Sequence, residues 1–149
     1  MITAQDLVAA AKSKIQEVTL DQADSALANA AFILDVREPE EYAAGHLANS
    51  INIPRGLLEF KLAAMPEIEA DSKVVIYCKT SGRSALAALT MKEMSYNNIS
   101  SIEGGFDAWL AADKAVVTPV TPLDDLSIDY TKHFHRLYVK FKNVNIKAT

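Results

Sequence analysis

Val74-Val75-Ile76-Tyr77-Cys78-Lys79-Thr80-Ser81-Gly82-Arg83-Ser84 carries the only cysteine of the chain, at the point where an apolar run gives way to a polar, flexible loop. Val74 to Tyr77 has the length and β-branching of a buried strand, and Ser84 to about Met94 reads as a helix. A strand that turns directly into a helix brings the loop N–H groups and the positive end of the helix dipole to one spot. Both favour a negatively charged sulfur. A cysteine behind valines and an isoleucine also suits a small buried hydrophobe. Lys79, Thr80, Ser81 and Gly82 weigh toward a reactive thiolate, because none of them anchors a core and Arg83 adds positive charge within the same loop.

Working outward, Phe32-Ile33-Leu34-Asp35-Val36, Ile51-Asn52-Ile53 and Ile99-Ser100-Ser101-Ile102 are further short runs with strand character, and Val18 suits an edge strand. Helix-like segments separate them: Thr3 to about Lys14, Leu20 to Ala28, Pro39 to Ala44, Gly56 to about Ala64 and Phe106 to Ala112. Pro39 followed by Glu40 and Glu41 fits a helix start, where a fixed φ and negative charge both belong. Strand and helix alternating in this way predict an α/β fold, a parallel sheet with helices on both faces.

The 149 residues suffice for one well-packed core and not for two. Residues 1–117 are expected to form the domain. Residues 118–149 are expected to form a proline-containing connector, Thr118-Pro119-Val120-Thr121-Pro122, and a basic amphipathic C-terminal extension. In the extension, Tyr130, Phe134, Leu137, Phe141 and Val144 fall on one helical stripe, although Leu137, Val139 and Phe141 also alternate as a strand does. The net charge of −4 hides an asymmetry, for all 19 acidic residues precede Tyr130 while residues 130–149 hold only basic ones. That strip is expected to dock on its own acidic body, with a homodimer contact or another acidic partner as the alternatives; without a nucleic-acid motif it is weak support for DNA or RNA. No apolar run approaches a membrane span, and the N-terminus lacks a signal-peptide layout, so a cytoplasmic protein is expected. One cysteine forms no internal disulfide. With His46, His133 and His135 it shows neither a paired-Cys nor a zinc-protease spacing, so neither metal nor cofactor is expected.

Three ordered stretches carry a family resemblance. Leu34-Asp35-Val36-Arg37-Glu38-Pro39-Glu40-Glu41-Tyr42 through Gly45-His46 to Ile51-Asn52-Ile53-Pro54-Arg55 is the first; the Cys78 loop with Gly82-Arg83-Ser84 is the second; Glu103-Gly104-Gly105-Phe106-Asp107-Ala108-Trp109 is the third. Together they resemble the single-domain rhodaneses, thiosulfate sulfurtransferase-like enzymes with a three-layer fold around a mostly parallel sheet. The resemblance covers about residues 19–113 and does not reach the basic extension. Many family loops place glycine third after the cysteine, where this chain has Ser81 with Gly82 following. That departure implies a shifted left-handed position or some strain at Ser81. Leu47-Ala48-Asn49-Ser50 also replaces the usual turn after the histidine.

The resemblance implies sulfur transfer in two steps through a Cys78 persulfide, from thiosulfate or a similar small anionic donor to cyanide, a small thiol or a protein thiol. Lys79, Thr80, Ser81, Gly82, Arg83 and Ser84 would then bind the substrate, largely through backbone N–H groups. Lys79 is expected to attract the donor, and Arg83 to brace the loop against a carboxylate such as Asp35 or Glu103. Asp35, Arg37 and Arg55 form a second tier around the pocket, His46 holds a turn, Phe106 and Trp109 belong to the core, and Gly104 and Gly105 let the chain pass close to the loop. The alternatives are a regulatory or partner-binding module on the same fold, or a cysteine phosphatase or arsenate reductase. Phosphatase loops carry one residue more than the four between Cys78 and Arg83, enough to encircle a phosphate.

Overall fold

The computed structural model describes residues 1–119. Within them the strands β1 (Gln16–Val18), β2 (Phe32–Asp35), β3 (Ser50–Asn52), β4 (Val74–Tyr77) and β5 (Ile99–Ile102) form one parallel sheet in the order β1-β5-β4-β2-β3. The helices are α1 (Ala4–Lys12), α2 (Leu20–Asn29), α3 (Pro39–Ala44), α4 (Leu58–Ala63), α5 (Gly82–Glu93) and α6 (Gly105–Ala111).

Alternation along the central strand explains the three layers. Every residue of β4 is fully buried, as a strand covered on both faces requires. Val74 and Ile76 join Leu34, with Leu58 and Leu62 of α4 and Ala87, Ala88 and Met91 of α5, in one core cluster. Val75 and Tyr77 join Ile33 and Ile102, with Ala23 of α2 and Phe106 and Trp109 of α6, in the other. Phe106 and Trp109 are each 8% exposed, so each contributes roughly 1.5–3 kcal/mol by removing apolar surface from water. Because side chains alternate along a strand, Cys78 continues the side of Val74 and Ile76 and falls in the α5 cluster. Asp35, paired in register with Tyr77, has the opposite parity.

Helix starts follow their local chemistry. Thr3 Oγ1 accepts from the Asp6 N–H while the Asp6 carboxylate accepts from the Thr3 N–H, a reciprocal cap on α1. Gln22 Oε1 accepts from the Thr19 N–H at the start of α2, and Glu41 Oε1 does the same for the Glu38 N–H behind Pro39 in α3. The stretch expected as one helix from Gly56 divides into a 3-10 turn, Arg55–Leu57, and α4. α5 begins at Gly82 rather than Ser84. His46 stacks on the Tyr42 ring at 3.7 Å, with Nδ1 2.8 Å from the Tyr42 carbonyl, and its backbone bridges to Val117. No helix among the described residues is long and apolar enough to cross a membrane. The aromatic stripe and basic extension expected beyond Pro119 lie outside the described residues.

Candidate active site

The Cys78 loop owes its shape to the start of α6. The Phe106 N–H donates to the Cys78 carbonyl at 2.8 Å, and the Asp107 N–H to the Lys79 carbonyl at 2.9 Å. Gly105, with φ +57°, lies directly beneath; a Cβ there would stand 2.5 Å from the Cys78 oxygen, 2.7 Å from that of Lys79 and 2.6 Å from that of Thr80. In a trans peptide the C=O and the following N–H point in opposite directions. Drawing these carbonyls toward α6 therefore turns the N–H groups of Lys79, Thr80 and Ser81 the other way. The hydrogen bonds among the described residues give the N–H groups from Lys79 to Ser84 no protein acceptor, so the loop and the first turn of α5 form a concave row of donors. The left-handed backbone expected inside the loop is absent from it: no residue from Cys78 to Ser84 has a positive φ, and Ser81 has φ −173° and ψ −7°. The positive φ angles occur across the contact, at Gly104 and Gly105.

Cys78 is 1% exposed, at the floor of this row. Its thiol donates to Ser84 Oγ at 3.4 Å, Ser84 Oγ donates to the Ser81 carbonyl at 3.1 Å, and Ser101 Oγ donates to Ser84 Oγ at 2.8 Å. Ser84 and Ser101 are fully buried. The Ser81 carbonyl also accepts from the Ala85 N–H, so the Ser84 proton is free to turn toward an anionic sulfur without orphaning a buried oxygen.

Of the loop's cations, Arg83 is a brace, though not against the carboxylates expected. Its two terminal nitrogens donate to Glu41 at 2.7 and 3.0 Å. Asp35 is unavailable because Arg37 occupies it, and α3 brings Glu41 across instead. The hydrogen bonds from Arg83 hold the Glu41 carboxyl down at about 2, from an ordinary 4.5. A lowered folded-state pKa gives stability that is complete above the unfolded value and lost as pH falls through the folded one. Both side chains are about one-third exposed, so solvent screening reduces the contribution to about 1 kcal/mol. Glu41→Gln is accordingly expected to be less stable by that amount at neutral pH in urea titrations. It should also lose part of the acid destabilisation between pH 4.5 and 2; identical stability profiles across that window would contradict this account. Lys79 lies 3.7 Å from Asp107 and is well exposed.

The second-tier residues are engaged elsewhere. Asp35 and Arg37 form a buried, doubly bonded ion pair, with Arg37 also donating to the Gly45 carbonyl at 2.7 Å and its guanidinium 4.1 Å from the Phe106 ring centroid. Asn52 donates to the carbonyls of both residues, so the pair ties β2, β3 and the turn after α3 together beneath α6. Burial disfavours the charged form of Arg37, and Asp35 and Tyr77 together more than offset it, leaving the pKa raised. Arg55 reaches Glu59 and, from below, Thr90 on α5, each at 2.9 Å; the described contacts give it no partner in the loop.

The site is thus a buried cysteine at the floor of a donor-lined strand-to-helix loop, with α6 pinning the loop from behind. Residues 19–112 match the rhodanese-like domain. The chain belongs to that family. It is 38% identical over 85 residues to the uncharacterized protein YqhL of Bacillus subtilis, a match spanning 57% of this chain and 65% of that protein. It is 30% identical over 95 residues to the thiosulfate sulfurtransferase GlpE of Pseudomonas paraeruginosa, covering 63% of this chain and 83% of that one. Among solved structures, the polysulfide-sulfur transferase homodimer of Wolinella succinogenes superposes with a TM-score of 0.65 at 33% identity, over 76% of this chain and 85% of that one. A protein of unknown function from Rhodopseudomonas palustris, described as a possible tyrosine phosphatase, gives a TM-score of 0.65 at 31% identity, over 76% and 93%. This rhodanese-like domain thus has sulfurtransferases among its homologues.

Three contributors to the site were not recognised from sequence. Ser101 had a visible signal, a serine inside an apolar strand, which marks a buried hydroxyl needing a partner. Glu41 read only as a helix-start acid. Lys12, which donates to Ser81 Oγ at 2.6 Å, carried no sequence signal, lying far along the chain and before the matched residues.

Proposed function

We propose that this rhodanese-like protein is a sulfurtransferase in which Cys78 carries a sulfane sulfur as a persulfide. The observation that carries this reading is the position of Cys78 at the floor of an N–H row whose carbonyls are tied back onto α6. The Cys78 thiolate attacks the outer sulfur of thiosulfate; a new S–S bond forms, the old one breaks, and sulfite departs with the bonding electron pair. The terminal persulfide sulfur keeps one negative charge. The donors from Lys79 to Ser84 surround it in the way an oxyanion hole surrounds oxygen, and Ser84 turns its proton toward the sulfur. Cyanide or a thiolate then takes that sulfur and regenerates the Cys78 thiolate.

The depth of the cysteine favours this chemistry over phosphate-ester cleavage. A cysteine 1% exposed is reached by a donor whose reacting end is one atom wide, as the outer sulfur of thiosulfate is, more readily than by a tetrahedral phosphate. The names of the Pseudomonas and Wolinella relatives point the same way. We assign residues 1–117 to this domain.

Intact-mass measurement after incubation with thiosulfate tests the proposal. The expected result is one added sulfur on Cys78, removed by cyanide with stoichiometric thiocyanate. Hydrolysis of an aryl phosphate with no sulfur adduct would replace the sulfurtransferase reading with the phosphatase one, and neither product would favour a binding module.

A further inference from the structure

We infer that Lys12, on a helix preceding the family-matched residues, is the cation that recruits the anionic sulfur donor to the Cys78 loop. This rests on the sulfurtransferase reading and names the residue that selects the donor's charge. Lys12 ends α1, and α1 lies along the start of α5, where a Cβ on Gly82 would stand 3.5 Å from Val8 Cγ2. That packing delivers Lys12 Nζ to 2.6 Å from Ser81 Oγ, on the rim of the row of N–H donors.

The loop's other cations are differently placed. Arg83 spends both terminal nitrogens on the Glu41 carboxylate, and Lys79, with 60% of its side chain exposed, extends into solvent beside Asp107. Lys12 is one-third exposed and has a fixed seat. It forms an ion pair with the buried Glu17 Oε2 at 3.8 Å, beyond hydrogen-bond reach and at a separation close to that of Lys79 from Asp107, so what sets Lys12 apart is its hydrogen bond to the loop. An ammonium has three N–H donors, and Ser81 takes one. The serine at the position where many family loops have glycine therefore has a use in this chain: its hydroxyl seats a charge at the rim without neutralising it. Lys12 makes and breaks no bond. It attracts and orients an anion whose far end projects from the loop while its outer sulfur meets Cys78.

Charge-matched alkylation of the full-length protein tests this. The same Cys78 thiolate attacks the methylene carbon of iodoacetate and of iodoacetamide, displacing iodide, so the ratio of the two rate constants reports the local field on an incoming anion and cancels the thiolate fraction. Lys12→Met is expected to lower the iodoacetate-to-iodoacetamide ratio about threefold, and Lys12→Arg to retain it. In turnover, Lys12→Met should raise the KM for thiosulfate about fivefold while kcat changes less than about twofold, the signature of lost uniform binding. An unchanged ratio in Lys12→Met, or a fall confined to Lys79→Met, would overturn the assignment. If the unsubstituted protein produces no thiocyanate, the sulfurtransferase reading fails, and the alkylation ratio still decides the role of Lys12.

Discussion

Cys78→Ala is expected to abolish thiocyanate formation, by at least about a thousandfold, while the protein remains folded. The size of the effect follows from covalent catalysis: without the sulfur there is no atom to hold the transferred sulfur between donor and acceptor. Neighbouring groups do not substitute. Ser84 and Ser101 are buried hydroxyls with no adjacent base among the described residues, and the cations around the loop hold no persulfide. The structural penalty is small, because Cys78 packs in the α5-side cluster as a small apolar group and loses one weak hydrogen bond to Ser84, about 1 kcal/mol. Steady-state assays beside thermal unfolding separate the two quantities. Residual turnover above about one per cent of the native rate would mean that another nucleophile carries the sulfur.

Gly105→Ala should be the most damaging substitution outside the cysteine, combining loss of stability with loss of the cradle. At φ +57° an L-residue is strained by about 1–2 kcal/mol. The new methyl would also stand 2.5–2.7 Å from three carbonyl oxygens. These are backbone atoms, two of them fixed by the N–H groups of Phe106 and Asp107, so they yield less readily than a side chain would. Overpacking adds about 1–3 kcal/mol, for a total of about 2–5 kcal/mol in urea unfolding. Gly104→Ala is the control, because it shares the positive φ, at +79°, but its methyl meets the Ala108 Cβ rather than the loop. It should lose stability and keep turnover, whereas folded Gly105→Ala should lose turnover by about tenfold or more as the donor row is pushed out of line. Equal activities in the two variants would show that the loop tolerates displacement.

What was legible in the sequence followed from periodicity and order. The β4 run, its immediate passage into α5, and the alternation of short strands with helices pointed to the parallel sheet, whereas the opposite sides taken by Cys78 and Asp35 emerged only with the β2–β4 register. The Gly104-Gly105 pair was legible as a close pass of the chain. Charge pairings were not, because they depend on which long side chains meet across elements. Arg83 had several carboxylates within plausible reach in sequence, and Glu41 was selected only because the turn of α3 brings it across while Arg37 already occupies Asp35. Lys12 illustrates the same limit: its place at the rim comes from how α1 lies on α5, which no local pattern encodes.

The pairing of β1 with β5 has a consequence for anyone trimming this protein to its family boundary. A fragment of residues 19–112 would begin just after Val18, removing β1 entire and leaving β5 as the bare margin of the sheet. The N–H and C=O groups of Gln16–Val18 now occupy that margin; without them Ile99–Ile102 would be open to a strand from another molecule. The short N-terminal strand thus covers the β5 edge, and the folded sheet is wider than residues 19–112.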